Sequence, residues 1–303
     1  EPHLRRALEL HESLGGAESK DALQTNHLLA VVLRNTNRLD ESFERFGAIL
    51  PAAERVLGED DERTLQILND FGQLHKMRGE HPEAIAYFRT ALERAERGAT
   101  IRPAMLAVIR ANLGESLTQT RDFDEAREMI AASIEALEQA HPEPHPDTAR
   151  ARLRFAAFLM GIQQPEAARA EYEAAIPVLE QTLDATHPDL LATRAQFGGC
   201  LQQLGDHTAA AASFDIAVRG AEATEPPESM RLAWYRRGLG MALLDQGRPE
   251  EALPYLEQAV AALRNTRPDL EAKAITELAR CLETLGESDR AAALRAELAG
   301  PKD

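Results

Sequence analysis

The chain has 303 residues, of which 44% are hydrophobic but only 5% aromatic, and its 34 basic side chains stand against 50 acidic ones for a formal charge of -16. That negative field repels nucleic acid and excludes it as a partner. No apolar run of about 18 residues could span a bilayer and no signal peptide is recognisable, so a soluble, cytoplasmic protein without a membrane partner is expected, its core built from Leu and Ala in helices.

Residues 1–18 read as the second helix of a preceding repeat cut short, with Leu4 and Ala7 at its bulky and small core positions. Such a helix without its partner would expose an apolar face, which implies a longer parent chain. From residue 19 a hairpin pattern recurs. A small residue midway along a first helix is followed by a Gly at the turn at +7, then by small, bulky and small residues at +12, +16 and +19 of a second helix. Small positions let two backbones close, and the bulky one fills the space between hairpins.

In chain order, Ala30 leads to Ser42, Phe46 and Ile49, and Gly72 leads to Gly79, Ala84, Phe88 and Ala91. Gly114 leads to Ala126, Ile130 and Ser133, and Ala156 to Ala168, Tyr172 and Ala175. Gly198 leads to Gly205, Ala210, Phe214 and Ala217, and Gly240 to Gly247, Ala252, Leu256 and Ala259. Ala279 leads to Gly286 and Ala291 before the pattern lapses at Arg295. Five anchor intervals are 42 residues and the last is 39. The expected organisation is a single solenoid over 19–303 of about seven hairpins, at 19–61, 62–103, 104–147, 148–189, 190–229, 230–269 and 270–303.

Asp21, Asp147 and Asp189, each nine residues before an anchor, are expected to cap first helices through their carboxylates, and Pro165 and Pro249 to open second helices where a missing N–H is harmless. Gly300 and Pro301 make a helix stop, and the polar last helix with Glu287, Asp289, Arg290 and Arg295 is suited to cap the array.

The 42-residue spacing, with loops such as Leu57-Gly58-Glu59-Asp60, His145-Pro146-Asp147 and His187-Pro188-Asp189, resembles the kinesin-light-chain-like tetratricopeptide repeats of bacterial type over nearly the whole chain. The resemblance implies an all-α, right-handed superhelical solenoid of antiparallel helix hairpins. First helices would line a concave groove that binds extended peptides or folded partners. Bacterial relatives often sit behind a serine/threonine kinase or another signalling or effector domain, which would make a catalytic domain in the same longer chain a partner. The family's groove-facing Asn pair before the anchor is partial here. Asn69 and Asp70 precede Gly72 and Asn112 precedes Gly114, but the other sites hold Leu153 and Arg154, Ala195 and Gln196, or Arg237 and Gly238.

Positions -6, -3, -2, +1 and +4 from an anchor share one helix face and define the expected groove lining. It comprises Gln66, Asn69, Asp70, Gln73 and Lys76, then Asn112 and Glu115, then Arg150 and Arg154. It continues with Gln196 and Gln202, then Trp234, Arg237 and Met241, and ends with Lys273, Arg280 and Glu283. Amides satisfy a peptide backbone and Arg forks grip carboxylates, so this wall suits an extended protein segment with acidic character, although the same residues could serve only to solvate it. Trp234, the sole tryptophan, is either a binding anchor or packed on a neighbouring first helix. Arg150 and Arg154 either grip an acidic ligand or answer nearby Glu residues. His27 could line the groove of the first repeat.

Phosphate-loop, dinucleotide, nucleophile-elbow and zinc-protease motifs are absent, so neither an enzyme nor a cofactor is expected. His141 and His145 are separated by prolines that prevent a shared helical face, so they read as a solvated loop and no metal is expected. Cys200 and Cys281 lie at one internal position two repeats apart, too far to bridge, and read as small buried packing residues in a reducing compartment. The expected function is a protein-protein interaction scaffold or adaptor, or alternatively a C-terminal regulatory or sensor arm of a larger bacterial signalling protein.

Overall fold

One turn, used seven times, organises the chain. At the +7 position of every repeat the backbone is left-handed: Asn37 (φ 61), Gly79 (φ 78), Arg121 (φ 67), Gln163 (φ 59), Gly205 (φ 77), Gly247 (φ 74) and Gly286 (φ 80). The amide of the next residue then donates back to the carbonyl five residues earlier. Examples are Arg38 to Leu33 at 2.9 Å, Glu80 to His75 at 3.0 Å and Glu287 to Leu282 at 2.8 Å. This is the Schellman closure, which satisfies carbonyls orphaned at a helix end and reverses the chain.

The computed structural model describes residues 1–98, 101–264 and 268–299. Among them are 15 helices and no strand. After α1 (Pro2–Gly15), the first helices are α2 (Lys20–Asn35), α4 (Glu62–Met77), α6 (Pro103–Thr120), α8 (Pro146–Gly161), α10 (Pro188–Gln203), α12 (Met230–Asp245) and α14 (Pro268–Thr284). Their partners are α3 (Leu39–Val56), α5 (His81–Arg97), α7 (Phe123–Ala140), α9 (Pro165–Thr182), α11 (His207–Glu222), α13 (Pro249–Leu263) and α15 (Ser288–Ala299). The fold is an all-α helical repeat solenoid. Gly300 and Pro301 lie outside the described residues.

The anchor residues are small because a ring or branched chain from the second helix lies directly over them. A methyl group on Gly72 would come 2.7 Å from Phe88, and one on Gly114, Gly198 or Gly240 would come 2.6, 2.8 or 2.7 Å from Ile130, Phe214 or Leu256. Phe214 also meets Gly238 of the following hairpin, so one ring joins two repeats. Hydroxyls stitch the same seam, with Ser42 donating to the Ala30 carbonyl at 2.8 Å and Ser133 to that of Ala107 at 2.9 Å.

The first-helix caps are corrected by two residues. Ser19, His145 and His187 hold the cap positions, where the Ser19 hydroxyl accepts from the Ala22 amide and each His Nδ1 accepts from the amide two residues on. Asp21, Asp147 and Asp189 sit instead in the first turn, where a carboxylate faces the positive end of the helix dipole. Pro165 and Pro249 open α9 and α13.

The helices group into two compact units, Glu1–Glu143 and Pro144–Asp303. In the first, α1 packs Leu8 and Leu4 on Ala22, Leu29 and Leu33 of α2, while Leu10 and Leu14 on its other side are exposed. Besides the contacts within and between successive hairpins, α2 meets α4 and α4 meets α6 in this unit, as α10 meets α12 and α12 meets α14 in the second. The second helices do not approach each other to that extent among the described residues. Along α2, α4 and α6 in the first unit, and α10, α12 and α14 in the second, the first helices therefore form the tighter row, the side toward which a row of hairpins bends.

Candidate protein-binding wall

The wall is built from first-helix positions repeated at a constant offset, so the same side-chain geometry can recur at each junction. In the N-terminal unit it does. His27 and Arg34, at -3 and +4 of the first repeat, converge on Asp70 at -2 of the second: His27 Nε2 donates to one carboxylate oxygen at 2.8 Å and Arg34 Nη1 to the other at 2.9 Å. One repeat further, Asn69 and Lys76 occupy -3 and +4 and converge on Asn112 at -2. Asn112 Nδ2 donates to Asn69 Oδ1 at 2.9 Å, and Lys76 Nζ donates to Asn112 Oδ1 at 3.3 Å and to Glu115 at 2.7 Å. We term this arrangement a clasp.

The C-terminal unit closes one clasp, between Arg237 at -3 of the sixth repeat and Glu277 at -2 of the seventh, 2.8 Å apart. Beside it Arg280 pairs with Asp245 at 2.5 Å, and Gln202 donates to the same carboxylate at 3.2 Å. Met241 lies against Arg280, its sulfur 3.9 Å from the guanidinium. The equivalent positions at the junctions of α8 with α10 and of α10 with α12 pair Leu153 with Gln196 and Ala195 with Gly238, which cannot clasp.

The sequence-derived wall residues thus divide into two classes. Asn69 (4% exposed), Asp70, Asn112, Glu115 and Arg237 are committed to neighbouring helices. Arg154 and Gln196 are exposed, Gln66 and Gln73 are half-buried, and none of the four has a side-chain hydrogen bond among the described residues. Trp234 is 37% exposed, and the one ring contact it makes among the described residues is with its helix neighbour Tyr235 at 5.5 Å. Arg150 pairs with Asp147 of its own helix at 3.2 Å. Sequence reasoning passed over Arg34 and Glu277, although the offsets +4 and -2, applied at the first and last repeats, point to both.

Burial and pairing set the carboxylates apart. Burial pushes the Asp70 carboxyl up, but the His27 hydrogen bond and the Arg34 charge more than offset it, leaving the group below its ordinary value. Glu277 goes the other way. Burial dominates over the attraction of Arg237 and raises it, and its second oxygen is buried with no hydrogen-bond partner. The cysteines are part of the packing: Cys200 and Cys281 donate to the carbonyls of Pro165 and Pro249 at 3.2 and 3.3 Å, and burial pushes the Cys200 thiol up to about 11. No helix among the described residues is long and apolar enough to cross a membrane.

Two tetratricopeptide-repeat family models match, one over residues 21–97, 147–223, 195–265 and 229–296 and the other over 106–147. No curated protein matches the sequence. Among solved structures, the chain is similar to a putative kinesin light chain repeat protein from Podosopora anserina, at 21% identity and a TM-score of 0.57, covering 66% of this chain and 95% of that one. It is similar to BtubC from P. vanneervenii at 15% identity and a TM-score of 0.54, over 99% and 94% of the two chains. A third similar structure, YrrB, is described as a protein of this repeat type with an unusual peptide-binding site, at 19% identity and a TM-score of 0.53 over 74% and 95%. With the family models covering most of its length and its 42-residue spacing, the chain belongs to the tetratricopeptide repeat family and carries repeats of the kinesin-light-chain-like kind.

Proposed function

We propose that this protein is a protein-protein interaction scaffold that holds an extended segment of a partner against the first-helix wall of its C-terminal unit. The observation that carries this reading is the contrast between clasped and open positions. Where the clasp is made, the polar groups of the wall satisfy one another and leave little to offer. On α8, α10 and α12, Arg154, Gln196 and Trp234 stand exposed, and neither Arg154 nor Gln196 has a hydrogen-bond partner among the described residues. A guanidinium fork, an amide and a large amphipathic ring are the groups that grip a carboxylate, a peptide backbone and an apolar side chain respectively. The peptide-binding site in the description of YrrB supports the same use of the fold.

The wall therefore suits a segment bearing an acidic residue close to a bulky apolar one. Selection from a display library of random linear peptides tests this. Enriched sequences should carry that pair, and the triple change Arg154→Ala, Gln196→Ala and Trp234→Ala should weaken the best of them at least about tenfold, the equivalent of roughly 1.4 kcal/mol. Undiminished binding by a triple variant with unchanged far-UV circular dichroism would move the site elsewhere.

A further inference from the structure

A cleft of about 420 Å³ opens on the second-helix side of the C-terminal unit, between α11 and α13, with Leu239 and Leu243 of α12 as its floor and Tyr255 as one wall. Its origin is legible in the repeat register. The N-terminal unit has the same four positions, thirteen residues after one anchor and one before, three after and fifteen after the next. There they hold Phe43, Phe71, His75 and Tyr87, a cluster of rings in which Phe43 stands edge-on to Phe71 and His75 while Tyr87 lies tilted on the first and stacked on the second. Phe43 lies 5.2 Å from Phe71 and 5.3 Å from His75, and Tyr87 lies 4.7 and 5.0 Å from the same two. In the cleft these positions are Ala211, Leu239, Leu243 and Tyr255, so the tyrosine is kept while the ring at the first position is reduced to a methyl group and the two rings it packed on are replaced by leucines. At the remaining junctions inside the two units this first position carries Ile85, Arg169 and Leu253, and Ala211 is the smallest.

We propose that the cleft is a second binding site, which takes from a partner protein the aromatic side chain that Phe43 supplies internally in the other unit. The size falls within the range of sites that enclose a ligand group of this kind, and the floor is aliphatic. The electrostatics match a ring and not a charged group. The rim charges are already paired, Arg219 with Asp215 at 2.8 Å and Arg248 with Glu251 at 2.7 Å, so a charged occupant would meet no unbalanced counter-ion. The negative face of a ring suits the Arg248 and Arg219 guanidiniums, a contact the fold makes in another register at Phe43, where the Arg78 guanidinium carbon stands 4.9 Å from the ring centroid; the position equivalent to Arg78 is here Gln246. An aliphatic side chain could enter the cleft but would forgo that contact and ring packing on Tyr255.

The test uses the whole chain with labelled Ala and Leu methyl groups, titrated with capped polar peptides that differ only in one central residue: Phe, Trp, Leu or Asp. Saturable shifts at Ala211, Leu239 and Leu243 are expected for Phe and Trp, with Leu roughly tenfold weaker and Asp silent. Ala211→Phe should abolish them by filling the cleft from within. If that variant loses its helical circular dichroism, Tyr255→Ala, which removes one wall, should weaken the Phe peptide instead. Shifts that survive both substitutions, or equal binding of all four peptides, would overturn the proposal. So would concentration-dependent self-association lost in Ala211→Phe, because it would assign the cleft to a second copy of the chain.

Discussion

Arg121 and Gln163 occupy a backbone conformation that four other repeats give to glycine and one to asparagine. A side chain in the left-handed region costs about 1–2 kcal/mol, because its Cβ crowds the neighbouring carbonyl; glycine escapes this but gives up roughly 0.5–1 kcal/mol of unfolded-chain entropy. The steric cost is the larger, so Arg121→Gly and Gln163→Gly should each raise stability by up to about 1 kcal/mol, and Gly205→Ala should lower it by about as much. Chemical denaturation followed by circular dichroism reads the shift in midpoint, and a fall for both glycine variants would show that side-chain contacts hold the turn. Asn37 is the control, since its short amide tolerates this conformation, and Asn37→Gly should change little. The sequence pattern marked this turn where it holds glycine and was silent where it does not, because the closure is set by the Schellman hydrogen bonds and not by the residue that happens to fill it.

Between elements, the two charged clasps respond to acid in opposite directions. The Asp70 carboxyl lies below its ordinary value in the fold, so the unfolded chain binds the proton more readily, and the clasp of α2 with α4 is fully present above about pH 4 and is lost as pH falls through the lowered value. The Glu277 carboxyl lies above its ordinary value, so the fold binds the proton more readily and the junction of α12 with α14 loses stability as pH rises from the ordinary glutamate range through the raised value. Hydrogen exchange measured peptide by peptide should therefore show α2 and α4 opening on acidification while α12 and α14 gain protection relative to them. Asp70→Ala should remove the first response and cost roughly 2–3 kcal/mol, because Arg34 would remain buried without its counter-ion. Identical pH responses at both junctions would refute the assignment. The helices and their pairing were legible in the sequence, since a small anchor and a bulky residue at a fixed separation leave few ways to close a hairpin. The clasps were not. Their members come from different repeats, about 40 residues apart, and the residue types change from one junction to the next, so the recurring feature is the offset alone. The caps were misplaced for a related reason: aspartate is favoured both at a cap and in the first turn, whereas a capping histidine carries little signal.

For the whole molecule, the charge of -16 and the proposed acidic segment pull against each other, and the conflict has a kinetic signature. At about 0.01 M salt the screening length is about 30 Å, so an approaching acidic peptide feels the summed field of the chain before it reaches Arg154; at about 0.1 M the length falls to about 10 Å and most of that repulsion is removed. Once docked, the carboxylate sits against one exposed guanidinium, an interaction worth about 0.2–1 kcal/mol and itself weakened by salt. Association should therefore speed up as salt is raised across this range, dissociation should speed up slightly, and the equilibrium should change less than either rate. Stopped-flow measurement with a selected acidic peptide separates the two. An association rate that falls with salt would mean that a locally positive surface steers the ligand in spite of the net charge. Arg154 alone cannot supply such a surface, because the other arginine of its helix face, Arg150, is already paired with Asp147. That result would place the acidic segment away from this wall.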